Sequence, residues 1–186
     1  MRKISLISMA LCLVMIMSLT VCATSWNTYV SRVEQEKSNW CWAACAEMLA
    51  HHEKGYTRDQ GDAVEYIKGT ASDPRPNVSG SVTDCKNAVL YICENEFSVI
   101  KGNALQETAL KNKIAAGYPV AAGIIWFGGG GHMVVLDKYT DTTSLVRVVD
   151  PWFNITEKVE YEYSDLINGV YLETGYGYWS EYCAHN

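Results

Sequence analysis

No aspartate or glutamate occurs in the first 23 residues, and positive charge is scarce in everything after them. Arg2 and Lys3 precede an apolar run of 18 residues, Ile4 to Val21, which leads into Cys22 and Ala23. A basic start, an apolar middle and small closing residues form the pattern of a secretory signal peptide, with cleavage expected after Ala23. The run sits at the lower edge of membrane-spanning length, so a retained anchor ranks behind cleavage. A lipoprotein reading with Cys22 lipidated is disfavoured by the bulky Val21 beside it. The expected location is therefore secreted, extracellular or periplasmic, with no membrane attachment after signal removal.

Without residues 1–23 the chain has 163 residues, carrying 13 basic against 21 acidic side chains. No basic stripe remains, which argues against a nucleic-acid partner. The length suits one unit with a real core, residues 24–186, and no internal repeat divides it. Five cysteines remain: Cys41, Cys45, Cys85, Cys93 and Cys183. An odd number in an oxidising compartment leaves one thiol without a bridge. Cys85 and Cys93 lie roughly 12 Å apart if both sit on one helix, beyond disulfide reach. Each then needs Cys45 or Cys183, and both pairings remain open.

Residues 41–53 are rich in helix formers, follow a Ser38-Asn39 cap candidate and stop before Gly55. The stretch from Gly69 to Gly80 reads as loop. Ser81-Val82-Thr83-Asp84 resembles a capping box, and Val82, Cys85, Val89, Ile92 and Cys93 recur at helical spacing. A third helix is expected over 104–116, ended by Gly117 and Pro119. Strands are expected over 119–127, 132–138, 145–150, 157–163 and 169–173. Helices first and strands second predict an α+β protein in which a helical lobe faces a lobe of antiparallel strands.

Residues 35–45 read QEKSNWCWAAC. Cys41 falls where the first helix begins, among backbone N–H groups without helical partners, which favour a thiolate and can receive an oxyanion. Gln35 supplies a side-chain amide that would complete such a hole. Cys45 lies one turn further in, where the donors are already committed, and is the poorer nucleophile. A thiol nucleophile needs a base. His51 and His52 stand at the far end of the same helix, and His185 is expected to be mobile near the C-terminus. His132 remains, after the run Gly128 to Gly131 and at the head of a strand. The glycines would let a substrate backbone approach and the loop adjust. Asp150, at the end of the next expected strand, is placed to hold one imidazole tautomer.

Gln35 followed after five residues by Cys41-Trp42, then Gly131-His132, then Asp150-Pro151-Trp152, resembles the motif order of papain-like cysteine peptidases. The form WCWAAC and the Asp-Pro pair resemble a bacterial branch that includes double-glycine leader peptidases and secreted effector peptidases of plant pathogens. The likeness spans about residues 35–152. It implies a papain-like fold with Cys41 as nucleophile, His132 as base and acid, Asp150 as orienting group and Gln35 at the oxyanion. Trp152 would shield the His132–Asp150 contact. The implied substrate is a protein or peptide, and the implied chemistry uses no cofactor and no metal. A dedicated protein inhibitor is a further expected partner. Neither a separable prodomain nor attachment to an export machine is implied.

Each residue also has a plainer reading. Cys41 could be half of a structural disulfide, His132 an ordinary strand histidine, and Asp150-Pro151 a simple turn. His51-His52-Glu53 reads better as a solvated helix end than as a metal site. The tail GYGYWSEYC reads better as sheet packing that buries Cys183 than as a sugar platform. The rival functions are acyl transfer to an amine, as in a transpeptidase or transglutaminase-like enzyme, and a catalytically silent binding module stapled by disulfides.

Overall fold

A computed structural model of the chain describes residues 23–54, 58–69, 74–94, 97–100, 102–155 and 158–186. The signal-peptide expectation therefore lies, Ala23 apart, outside the described residues. After a short strand β1 (Ser25–Asn27) come three helices: α1 (Cys41–Lys54), α2 (Gln60–Lys68) and α3 (Val82–Cys93). Ala43, Ala44, Ala46, Ala50, Trp42, Met48 and Leu49 of α1 are all fully buried, so this helix is apolar on nearly every side and lies inside the molecule. The capping box forms at α3 as expected, with Ser81 and Asp84 exchanging side-chain bonds to each other's backbone. Helix α2 was not expected. Only Ala63, Val64 and Ile67 make an apolar stripe in it, and its order comes instead from its ends. Asp59 accepts from the Asp62 N–H at 2.8 Å, and Gly69 closes the helix in the left-handed conformation.

The strands that follow are β2 (Phe97–Ile100), β3 (Val120–Trp126), β4 (Gly131–Thr140), β5 (Leu145–Val149), β6 (Val159–Glu162), β7 (Val170–Leu172) and β8 (Gly175–His185). Two further helices interrupt them, α4 (Glu107–Ala115) before β3 and α5 (Tyr163–Asn168) between β6 and β7. Every strand pairing is antiparallel, in the order β2-β8-β3-β4-β5-β6, with β1 added to β4 and β7 to β8. The class is α+β.

The lobes differ from expectation. Alternate residues of the central strands feed two separate cores. Ala121, Met133, Val135, Val149 and Cys183 face α1, α2 and α3, whereas Val120, Ala122, Ile124, Val134 and Leu136 face Leu110 and Ile114 of α4 and Leu166 of α5. Helices thus cover both faces of one sheet rather than all standing opposite it. The expected strand 157–163 is cut short because the Tyr163 N–H turns to the Ser144 carbonyl (2.9 Å) and opens α5. The tail forms the long strand β8, where His185 stacks on Tyr118 with ring centroids 4.2 Å apart, so the C-terminal histidine is held rather than mobile.

The segment between β1 and α1 runs across the sheet and is fastened by buried polar groups. The Val30 N–H donates to Asp137 (3.1 Å), a fully buried carboxylate that also receives Arg147 Nε (2.7 Å) and lies 3.3 Å from Lys158 Nζ. A buried charge persists only when so compensated. Further along, Gln60 accepts from the Glu36 N–H (3.0 Å) and donates to the Glu34 carbonyl (2.9 Å), while the Gln35 N–H donates to the Pro151 carbonyl (2.8 Å). Helices and sheet are therefore both tied to residues 34–36.

Candidate active site

Helix α1 begins at Cys41 because Trp40 turns the chain there. The Trp40 N–H donates to Lys37 O, its carbonyl accepts from Ala43 and Ala44 (2.9 Å each), and its indole N–H is held by Pro76 O at 3.1 Å. Cys41 is half-buried at this helix start, whereas Cys45, one turn on, is fully buried. Burial, with Cys41 and Asp150 nearby, pushes the Cys45 thiol well up, so Cys45 stays protonated and shielded.

His132 stands at the head of β4, on the strand that crosses α1. Its Nε2 lies 2.7 Å from Asp150 Oδ1, and the ring also hydrogen-bonds the Cys41 side chain. Both His132 and Asp150 are only 6% exposed. Burial alone disfavours the imidazolium. The Asp150 and Cys41 bonds outweigh it and raise His132 from 6.5 to about 9, so the ring is a cation at neutral pH. Asp150 is itself oriented, accepting from the Trp152 N–H at 2.8 Å. Trp152 meets the imidazole edge-on at 6.0 Å between centroids, and Trp126 stacks on it at 6.2 Å. The ring is thus held between two indoles.

The glycine run does something other than provide slack. Gly129 and Gly130 take φ of 92° and 80° in the turn between β3 and β4, closed by Gly129 N–H to Trp126 O at 3.0 Å. A Cβ on Gly131 would meet the Ile124 carbonyl oxygen at 2.4 Å, so this position brings two backbones together immediately before His132.

Gln35 is placed differently from the other three. It is 1% exposed and does not line the cleft; its Nε2 donates to Lys37 O (2.9 Å), and its Oε1 is buried without a partner. One amide proton of Gln35 is therefore committed and one is not. The geometry brings Cys41, His132 and Asp150 into one chain of contacts and leaves Gln35 beside it.

Arg32 went unnoticed in the sequence. Its Nε donates to the Asp150 carbonyl at 2.7 Å and its Nη2 to the Trp152 carbonyl, gripping the Asp150-Pro151-Trp152 turn. No spacing or motif marks it, since an arginine that bonds backbone 118 residues away has no local signature.

Cys41, Cys45, Cys85 and Cys183 stand as free thiols in the structure. The Cys85 and Cys183 side chains do hydrogen-bond each other, joining α3 to β8. The helix end at His51 and His52 is more enclosed than expected. His51 Nε2 lies 3.3 Å from Glu47, yet burial lowers His51 to about 4 and raises Glu47, so both move toward neutrality and the contact is not an ion pair. His52 Nε2 contacts the Gly117 carbonyl at 2.7 Å. Among the described residues no group of three or more metal-ligating side chains converges.

Cys41, His132 and Trp152 open onto a cleft of about 610 Å³, walled on one side by Ser79 to Ser81 and on the other by β3 and Glu181. A thiol at a helix start, touching an imidazolium held by a carboxylate, is equipped for nucleophilic attack on a carbonyl. No curated protein matches the chain. The model of one family of cysteine peptidases matches residues 27–181, which runs from the last residue of β1 through the whole helical layer and the cleft to most of β8. The chain belongs to that family, the Peptidase_C39 like family.

Proposed function

We propose that this cysteine peptidase is a secreted enzyme, exported by a signal in residues 1–23, whose residues 24–186 form one papain-like catalytic unit. It hydrolyses peptide or isopeptide bonds through Cys41, His132 and Asp150. The observation that carries this reading is the buried imidazole bonded to a carboxylate on one side and a helix-start thiol on the other. In the first half-reaction the Cys41 sulfur, as thiolate, attacks the carbonyl carbon and the π electrons move to oxygen. The Cys41 N–H and the second amide proton of Gln35 receive that oxyanion. The intermediate collapses, the C–N bond breaks, and His132 gives its proton to the leaving amine. In the second half-reaction neutral His132 takes a proton from water, the resulting hydroxide attacks the thioester, and the acid leaves as Cys41 recovers its thiolate.

Alkylation of the folded protein followed by peptide mapping tests the assignment. Iodoacetamide labels Cys41 rapidly at mildly acidic pH, while Cys45, Cys85 and Cys183 resist until the protein is unfolded. Cys41→Ala abolishes hydrolysis of a casein substrate with its melting temperature within a few degrees of the parent. Preferential labelling of Cys45, or full hydrolysis by Cys41→Ala, would remove Cys41 as the nucleophile.

A further inference from the structure

The cleft contains two carboxylates that the mechanism does not use. Its lining includes Asp84 and Glu181 and no lysine or arginine. Asp84 is committed, since it accepts from the Ser81 N–H (2.7 Å) and hydroxyl (2.8 Å) and lies 3.1 Å from Lys68 Nζ. Glu181 has no such partner, and no cation among the described residues pairs with its carboxylate.

Its placement is set by the sheet. Glu181 of β8 pairs with Gly123 of β3, which pairs with Met133 of β4, the neighbour of His132. Directly opposed residues share a face, so Glu181 and Met133 lie on the face that carries Cys41, two strand spacings or roughly 10 Å apart. Gly123 makes room between them. A Cβ at that position would fall 2.6 Å from Glu181 Cγ and 3.0 Å from its Oε1, so the carboxylate lies across bare backbone. The Thr174 hydroxyl, in the same cleft, is buried without a hydrogen-bond partner. An uncompensated carboxylate between low-dielectric walls attracts a cation more strongly than one on open surface.

We propose that Glu181 makes the cleft selective for a basic side chain, so that the enzyme prefers peptides with lysine or arginine close to the scissile bond. The inference rests on the peptidase reading above and narrows its substrate class. The side chain enters over Gly123, its cation pairs with Glu181, and a polar atom of the peptide satisfies Thr174.

The test compares fluorogenic peptides that are identical except for lysine, norleucine or glutamate at each position flanking the cleaved bond. The parent enzyme shows a kcat/KM ratio of lysine to norleucine of about tenfold at one position, the value for a charge-assisted contact in a partly open site. Glu181→Gln brings that ratio close to one, and Glu181→Lys inverts it in favour of glutamate. Raising the salt concentration shrinks the parent's ratio but not that of Glu181→Gln. Because each ratio is taken within one protein, loss of folded material in a variant cancels. A parent ratio near one at every position, or an unchanged ratio in Glu181→Gln, overturns the inference and leaves the peptidase reading standing. Failure of the parent to cleave any peptide, together with an unreactive Cys41, overturns both.

Discussion

The His132–Asp150 contact sets a pH limit on the enzyme that can be worked out from the structure. His132 is raised from 6.5 to about 9, against the effect of its own burial. At about 1.4 kcal/mol per unit, that difference corresponds to ~3 kcal/mol favouring the imidazolium in the folded protein. The group is raised, so its stabilisation is complete below pH 6.5 and disappears as the pH climbs through 9. Hydrolysis by an ion pair should therefore hold across neutrality and fall on an alkaline limb near pH 9. Asp150→Ala removes the strongest favourable contact and moves the limb toward 6.5. At pH 7 this cuts the imidazolium population, and with it kcat/KM, about fourfold, while the full difference of roughly two orders of magnitude, equivalent to ~3 kcal/mol, is reached only above pH 9. Asp150→Asn retains an acceptor without the charge, and its limb should fall between the two, shifted by about one to two units. The assay is the pH profile of kcat/KM on one peptide, with the His132 ring followed by NMR titration. The melting temperature supplies a second readout, because the parent should lose stability between pH 6.5 and 9 and Asp150→Ala should not. An alkaline limb that stays near 9 in Asp150→Ala would refute the assignment of that cation to His132.

Two further substitutions probe the supports of the site. Arg32→Ala frees the Asp150-Pro151-Trp152 turn, so kcat should drop about tenfold for two lost charge-assisted bonds while KM changes little. The alkaline limb should move down with it and return in part in Arg32→Lys; an unchanged limb with lowered stability would make Arg32 merely structural. Gly131→Ala drives a Cβ into the Ile124 carbonyl and should cost about 1–3 kcal/mol in thermal unfolding, with a larger proportional loss of hydrolysis because His132 is the next residue. Activity retained in proportion to stability would show that the β3–β4 approach does not position the imidazole.

How much of this was legible in the sequence follows from the range of each interaction. Helices α1 and α3 announce themselves through local chemistry, the alanine-rich run after Cys41 and the Ser81–Asp84 capping box, and the central strands through β-branched runs. Cys41, His132 and Asp150, which the structure brings into contact, could be singled out because each sits at the boundary of such an element. Helix α2 and strand β8 were not. The first is stabilised by its caps and by Gln60, whose side chain bonds residues 24 and 26 positions earlier. The second is long, rich in glycine and tyrosine, and becomes a strand because β2, β3 and β7 pair with it. The layering failed for the same reason. Nothing in the order of elements says that α4 and α5 pack on the face opposite α1, which is decided by which alternate residues of β3 and β4 each helix covers.

The position of Gln35 shows what a motif can and cannot convey. Its spacing from Cys41 places it in the crossing segment, and the segment does run beside the site. The same residues, however, are tied in three directions: to Asp137 through Val30, to Gln60 through Glu34 and Glu36, and to the Asp150 turn through Arg32 and the Gln35 N–H. The crossing segment therefore fixes the distance between α1, which carries the sulfur, and the turn that carries the carboxylate. Gln35 itself stays buried, with its Nε2 donating to Lys37 O. Loosening the segment would separate Cys41 from Asp150 without altering either residue. Residues 28–37 thus hold Cys41, His132 and Asp150 in line although none of them belongs to that chain of contacts.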